Sequence, residues 1–80
     1  MFVTDEKVNE VAEELLYQFE VGELHSRCST GTVARRAMEL LADNGLPRRQ
    51  SLAFVIAKKA QAAWQEQVHQ TVKQIQAALN

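Results

Sequence analysis

The stretch Leu52-Ala53-Phe54-Val55-Ile56-Ala57 opens a run of 28 residues, ending at Leu79, that contains neither proline nor glycine. On an ideal helix, which turns about 100° per residue, the apolar residues of this run form two stripes. The first stripe consists of Leu52, Ile56, Ala60 and Ala63, and the second of Trp64, Val68, Val72, Ile75 and Leu79. The second stripe is rotated by roughly 120° from the first, so a straight helix cannot turn both toward one side. Since nothing in the run would kink it, the pattern favours an unbroken helix whose halves pack against different partners; a helix split near Trp64 is the alternative.

The second stripe predicts a surface for self-association. A domain of 80 residues buries only about 60–65% of the surface that its unfolded chain exposes, and oligomerisation commonly stabilises domains this small. Glutamines dominate the polar face from Trp64 onward, and uncharged amides tolerate the close approach of another helix. The pattern does not extend over the three or four heptads that a coiled coil requires. We therefore predict a homodimer interface formed by Trp64, Val68, Val72, Ile75 and Leu79.

Two shorter amphipathic helices precede the long one. The first is expected over residues 4–21, because Thr4 is a suitable N-cap, acidic residues follow it, and Gly22 suits the left-handed position after a C-terminus. The second is expected over residues 31–43, capped by Ser29 or Thr30 and stopped by Asn44-Gly45. The long helix then begins at Pro47, which is favoured as a first helical residue, or at Ser51.

These patterns predict an all-α fold in which residues 1–80 form a single helical domain of three helices, with a fourth if the last one is split. The apolar residues at helical spacing define the expected core. They are Val8, Val11, Leu15, Leu16, Phe19, Val33, Ala37, Leu40, Leu41, Leu52, Val55, Ile56 and Ala60.

Charge is distributed unevenly along the chain, although the net charge is only −1. Residues 1–24 carry seven acidic residues and one lysine, whereas residues 25–60 carry seven basic and two acidic residues. Either the acidic first helix lies beside the basic middle and is attracted to it, or the basic residues meet an acidic partner. The candidate partner-binding or nucleic-acid-binding residues are Arg35, Arg36, Arg48, Arg49, Lys58 and Lys59.

A helix-turn-helix DNA-binding protein is the most specific alternative to a protein-interaction role. Two helices joined by a short turn containing Gly45, with basic residues around them, outline a DNA-binding regulator within residues 31–60. The details fit poorly, because Leu41 occupies a position where close helix crossing favours a small residue. The recognition helix would also begin with the most apolar segment of the chain, so only Arg48-Arg49-Gln50-Ser51 is placed to reach bases.

The sequence offers little for catalysis or for cofactor and metal binding. His25 and Cys28 are three positions apart, but zinc requires three or four ligands and the other histidine, His69, is remote in sequence. The chain contains no Gly-rich phosphate loop, no nucleophile elbow and no paired cysteine motif. We expect no catalytic residue, no cofactor and no metal site, and hence a protein that is not an enzyme.

Targeting signals are also missing from the sequence. No signal peptide is visible after Met1, and the longest wholly apolar run has six residues, far fewer than the roughly 20 that span a bilayer. The single Cys28 cannot form an intrachain disulfide. We expect a soluble cytoplasmic protein without a membrane partner, acting as a small adaptor, inhibitor or regulatory subunit.

Overall fold

The computed structural model describes residues 4–79, which form three α-helices. Helix α1 spans Asp5–Glu20, α2 spans Thr30–Asp43 and α3 spans Gln50–Leu79. No strand occurs within this range, so the predicted all-α class with three helices is confirmed. Helices α1 and α2 pack against each other and against the first half of α3. No helix among the described residues has the length and hydropathy needed to cross a membrane.

Helix α1 begins and ends where its capping residues predict. The Thr4 hydroxyl accepts a hydrogen bond from the backbone N–H of Lys7 at 3.2 Å, which satisfies one of the donors left free at a helix N-terminus. Val21 forms the C-cap, and Gly22 follows with a φ of 81°, a left-handed conformation that glycine adopts without strain. The predicted N-cap and the predicted stop are both confirmed.

Helix α2 ends in a Schellman motif. The backbone N–H of Leu46 donates to the carbonyl of Leu41 at 2.8 Å, and that of Gly45 donates to the carbonyl of Ala42 at 3.0 Å. Gly45 has a φ of 70°, and Leu41 and Leu46 are both buried, so the turn is also held by apolar contact. After this turn, the backbone N–H of Arg49 donates to the carbonyl of Pro47 at 3.0 Å before α3 begins.

Helix α3 starts later than Pro47. The backbone N–H of Ala53 donates to the carbonyl of Arg49 at 2.9 Å, and the helix begins at Gln50. The prediction of Pro47 as the first helical residue is therefore wrong, and the alternative start at Ser51 is off by one residue. The connection between α2 and α3 consists of the six residues 44–49.

The core is built mainly from the residues that helical spacing predicts, with one clear error. Val55, predicted to be buried, is 61% exposed, and Val8, Leu16 and Leu52 are only half-buried. On α3 the fully buried positions are Ile56 and Ala60, as predicted, together with Ala53 and Ala57. The small alanines allow α3 to approach α1 and α2 closely, which places the bulkier Val55 on the outer side. The spacing of Phe2 and Val3 before Val8 predicts a hydrophobic staple at the start of α1, but Phe2 and Val3 lie outside the described residues.

The second half of α3 extends beyond the domain. Helix α3 has 30 residues and is therefore about 45 Å long, whereas α1 and α2 have 16 and 14 residues. It is unbroken across Trp64, and every residue from Gln65 to Leu79 is exposed. We call residues 65–79 the tail; it accounts for the elongated dimensions of 52 × 23 × 19 Å.

Candidate interaction surfaces

The tail displays a row of large apolar side chains that the rest of the described chain does not cover. The exposed fractions are 42% for Val68, 45% for Val72, 55% for Ile75 and 81% for Leu79. These four residues lie on one side of the helix because they are separated by three or four positions. We call them the tail stripe. Exposed apolar surface is commonly found where soluble proteins contact a partner.

Trp64 joins the tail stripe to the core. Its ring stacks on Phe19 of α1, with a centroid separation of 5.9 Å and an interplanar angle of 10°. The side chain is half-buried. Trp64, which the sequence predicts to lie in the dimer interface, therefore packs partly against its own chain. Its indole Nε1 is buried and has no hydrogen-bond acceptor among residues 4–79. Trp64 therefore lies at the boundary between the packed first half of α3 and the exposed tail.

Two open grooves flank the base of the tail stripe. The first, of about 380 Å³, is lined by Ser26, Trp64, Gln65, Val68, His69 and Val72. The second, of about 220 Å³, is lined by Trp64, Gln67, Val68, Thr71 and Val72. We call them the Ser26 groove and the Thr71 groove. Val68 and Val72 form a ridge between the two grooves. When two helices pack together, the ridges of one fit into the grooves of the other.

Two of the six predicted basic residues are engaged with α1. The Nε of Arg36 donates to Oε1 of Gln18 at 2.9 Å, and its Nη1 lies 2.6 Å from Oε2 of Glu39. The hydrogen bond that Arg36 donates to Glu39 raises the pKa of Arg36, whose guanidinium stays charged. Lys59 donates from Nζ to Oδ1 of Asn9 at 2.6 Å. These two side chains therefore link α2 and α3 to α1.

The other four predicted basic residues, Arg35, Arg48, Arg49 and Lys58, are exposed. Arg35 borders a groove between α2 and α3 together with Phe54, and Lys58 lies one helical turn beyond Phe54. Arg49 borders a different groove with Val55. We call these four residues the basic group.

The acidic first helix does not neutralise the basic group through ion pairs. Within residues 4–79 the ion pairs are Lys7–Glu10 and Arg36–Glu39, and each joins residues three positions apart on one helix. Helix α1 lies beside α2 and α3, as one of the two interpretations of the charge pattern requires. However, its polar links to them run through the amides of Asn9 and Gln18. The basic group thus has no carboxylate partner within salt-bridge distance in the described part of the chain.

The His25 and Cys28 pair sits in the connection between α1 and α2. His25 accepts a hydrogen bond at Nδ1 from the backbone N–H of Arg27 at 3.0 Å, and the backbone N–H of Cys28 donates to the carbonyl of His25 at 3.0 Å. These bonds form a local turn. No three potential metal ligands come together within residues 4–79.

Sequence reasoning missed three residues that shape these surfaces. Gln18 is 2% exposed and receives Arg36, although glutamine on an acidic helix reads as a surface residue. Gln61 bonds to Thr30 at 2.9 Å and to the carbonyl of Cys28 at 3.3 Å, which anchors the connection against α3. Ser26 of the same connection thereby reaches the groove beside Trp64. A loop residue such as Ser26 has no periodic pattern in the sequence, so its place beside the groove at Trp64 is seen only in the structure.

Comparison with protein-family models, curated proteins and solved structures gives no match to this chain. The function therefore has to be inferred from the two surfaces described above.

Proposed function

We propose that this chain is a small non-enzymatic interaction module of the adaptor, inhibitor or regulatory-subunit type. It forms a homodimer through the tail stripe and binds an acidic protein surface through the basic group. The observation that carries the proposal is the exposure of the tail stripe on a helix that projects from its own domain.

Physical chemistry supports a partner for the tail. An isolated helix of about 15 residues is only marginally stable in water, because nucleation costs more than a short run of hydrogen bonds returns. The tail gains no packing from α1 or α2 among the described residues. Burial of a large apolar side chain contributes about 1.5–3 kcal/mol, so covering four partly exposed ones stabilises both the helix and the pairing. A second copy supplies a surface of matching length and polarity.

Light scattering tests the homodimer. The wild type should have twice the 9.0 kDa mass of the chain, and Val68→Glu with Ile75→Glu should reduce it to one chain. Burying two carboxylates from each chain without partners would weaken pairing by more than about 2.8 kcal/mol, or 100-fold. Gln74→Glu with Ala77→Glu is the matched control, since it adds the same charge off the stripe and should leave the dimer intact. A wild type of 9.0 kDa at high concentration would refute the proposal.

The acidic partner is supported by the basic group. Arginine binds carboxylates through two parallel hydrogen bonds, and three of the four residues are arginines. Phe54, half-buried beside Arg35, and the exposed Val55 add apolar surface at the same end of α3. Aromatic and arginine side chains together are typical of protein interfaces.

Co-purification from the native host tests this second surface. With nuclease present, the wild type should retain a bound protein, and Arg35→Glu with Lys58→Glu should lose it. Lys73→Glu, an exposed lysine on the tail, is the control and should behave as the wild type does. Loss of all bound material on nuclease treatment would instead favour the alternative function.

That alternative is a helix-turn-helix-like DNA-binding regulator built on residues 31–60. One observation favours it: Ser51, Val55 and Lys58 form an exposed face on the first half of α3, although Val55 was predicted to be buried. Another opposes it, because the six-residue connection is longer than the three or four residues of the motif. Arg48→Ala with Arg49→Ala should weaken duplex binding and reduce its salt dependence. No retardation of any duplex at low salt would exclude this function.

A further inference from the structure

The groove between α2 and α3 combines a positive charge with an apolar floor. It has a volume of about 380 Å³, and its lining includes Ala34, Arg35 and Met38 of α2 and Gln50 and Phe54 of α3. We call it the Arg35 groove. Ala34 is buried, and Met38 and Phe54 are half-buried against the core, so the floor is a fixed apolar surface. No acidic residue of the described range 4–79 lines this groove.

Acidic residues do line the grooves that two other basic residues border. Arg49 shares its groove with Asp5, and Lys59 shares one with Glu13. A carboxylate that entered either groove would meet a like charge, whereas in the Arg35 groove it meets a positive one. The charge pattern therefore favours the Arg35 groove for an acidic ligand.

The guanidinium of Arg35 is available to such a ligand. It forms no ion pair within the described part of the chain. Glu39 lies one helical turn further along α2, but Arg36 binds its carboxylate at 2.6 Å. Arg35 can therefore offer a ligand carboxylate the two parallel hydrogen bonds that arginine forms best.

Lys58 adds a second positive charge at the end of the groove where α2 begins. The hydroxyl of Thr30 donates to Oε1 of Gln61 at 2.9 Å, so the first turn of α2 lies beside this part of α3. Lys58 follows Phe54 by four positions and precedes Gln61 by three, which places these residues on one side of α3. A ligand that lies along the groove thus meets both Arg35 and Lys58.

We propose that the Arg35 groove binds a short acidic segment of a partner protein. An apolar side chain of that segment packs on Met38 and Phe54, and carboxylates beside it bind Arg35 and Lys58. A phosphate backbone would match the charge of the groove but not its apolar floor. Methionine adapts its shape to different apolar side chains, which suits such a floor.

This inference rests on the acidic partner proposed above and names the chemistry of the bound segment. It also divides the basic group. Arg35 and Lys58 contact the segment, whereas Arg48 and Arg49 precede α3 and do not line the groove. Arg48 and Arg49 should therefore contribute little to its binding.

An NMR titration of the isotope-labelled, full-length chain tests the groove with a synthetic peptide that has two leucines between glutamates. The backbone signals of Gly31, Arg35 and Phe54 should shift and saturate, with a Kd below about 1 mM. One control peptide carries glutamines in place of the glutamates, and another carries serines in place of the leucines. Each control should bind about tenfold more weakly, because it lacks one of the two features that the groove matches.

Two double substitutions that remove the same charge show which basic residues contact the peptide. Arg35→Ala with Lys58→Ala should raise the Kd about fivefold or more, since two ion pairs are lost. Arg48→Ala with Arg49→Ala is the matched control and should change the Kd by less than about twofold at physiological salt, where charges are screened beyond about 8 Å. All four side chains are exposed, so neither variant disturbs the core.

The results separate this inference from the proposed function. Equal weakening by the two double substitutions, or equal binding of the serine peptide, would mean that net charge alone attracts the peptide. Shifts centred on Arg49 and Val55 would place it in the other groove. Each of these results overturns the Arg35 groove and leaves the acidic partner in place.

The absence of any shift with the leucine peptide at about 1 mM would also overturn the groove. If polyglutamate then caused no shift either, the acidic protein partner would be overturned with it. A single-stranded oligonucleotide that shifted the same signals at lower concentration than the peptide would replace the protein segment with a nucleic acid.

Discussion

Two glutamine side chains link the helices of this domain through hydrogen bonds. Gln18 of α1 receives Arg36 of α2, and Gln61 of α3 holds the connection that carries Cys28. A glutamine offers both a donor and an acceptor without the desolvation cost of a charge, so it suits half-buried links. Sequence periodicity reveals neither role, because glutamine is also the commonest residue on the exposed face of the tail.

Gln18→Ala should destabilise the domain by about 1–3 kcal/mol, because it removes a buried side chain and leaves the Nε of Arg36 without its acceptor. Chemical denaturation measures the change. Gln74→Ala, an exposed glutamine on the tail, is the matched control and should change the stability by less than about 0.5 kcal/mol. Equal effects from the two substitutions would contradict the structural role of Gln18.

Gln61→Ala should release the connection between α1 and α2 from α3. The single cysteine is a convenient reporter, because Cys28 is half-buried and its own backbone carbonyl accepts a hydrogen bond from Gln61. Labelling of Cys28 by a thiol reagent should become about tenfold faster if the lost bonds lower the cost of local opening by ~1.4 kcal/mol. Unchanged labelling with Gln61→Ala would show that the connection is held by other contacts, such as the buried Leu24.

At the scale of the helices, periodicity and capping in the sequence predict where a helix begins and ends better than which of its faces is buried. The caps at Thr4, Gly22 and Gly45 are local, so the sequence places α1 and the end of α2 correctly. The face of α3 that becomes buried depends on how closely three helices approach. Hydrophobicity alone favours Val55 for the core, but close approach of the helices favours the small Ala53, Ala57 and Ala60. Exposure of the tail stripe was likewise expected, whereas the grooves beside it depend on a loop that has no repeating pattern.

Removal of the tail tests whether α3 contains two independent parts. A chain that ends at Gln67 retains every buried residue of α3 and the stacking of Trp64 on Phe19. Its unfolding free energy should match that of the full-length monomeric variant Val68→Glu with Ile75→Glu to within about 1 kcal/mol, since an unpaired tail contributes little. Melting temperatures of both should be independent of concentration, whereas that of the wild type should rise with it. A truncated chain that fails to fold would show that the tail supports its own domain.

For the whole molecule, the two proposed surfaces differ in the force that acts on them, and salt separates these forces. The tail stripe is apolar with no acid–base pairs at its flanks, so dimerisation should be unchanged between 0.05 and 1 M NaCl. The ion pairs of the described residues lie within single helices and are exposed, so the stability of the domain should change by less than about 1 kcal/mol over the same range.

Binding of an acidic partner by the basic group should instead weaken steeply with salt, because the screening length falls from about 10 Å at 0.1 M to 3 Å at 1 M. Sedimentation of the complex at several salt concentrations would show the partner dissociating while the chain stays dimeric. The reverse order, with the dimer dissociating first, would mean that charge and not the apolar stripe holds the two copies together.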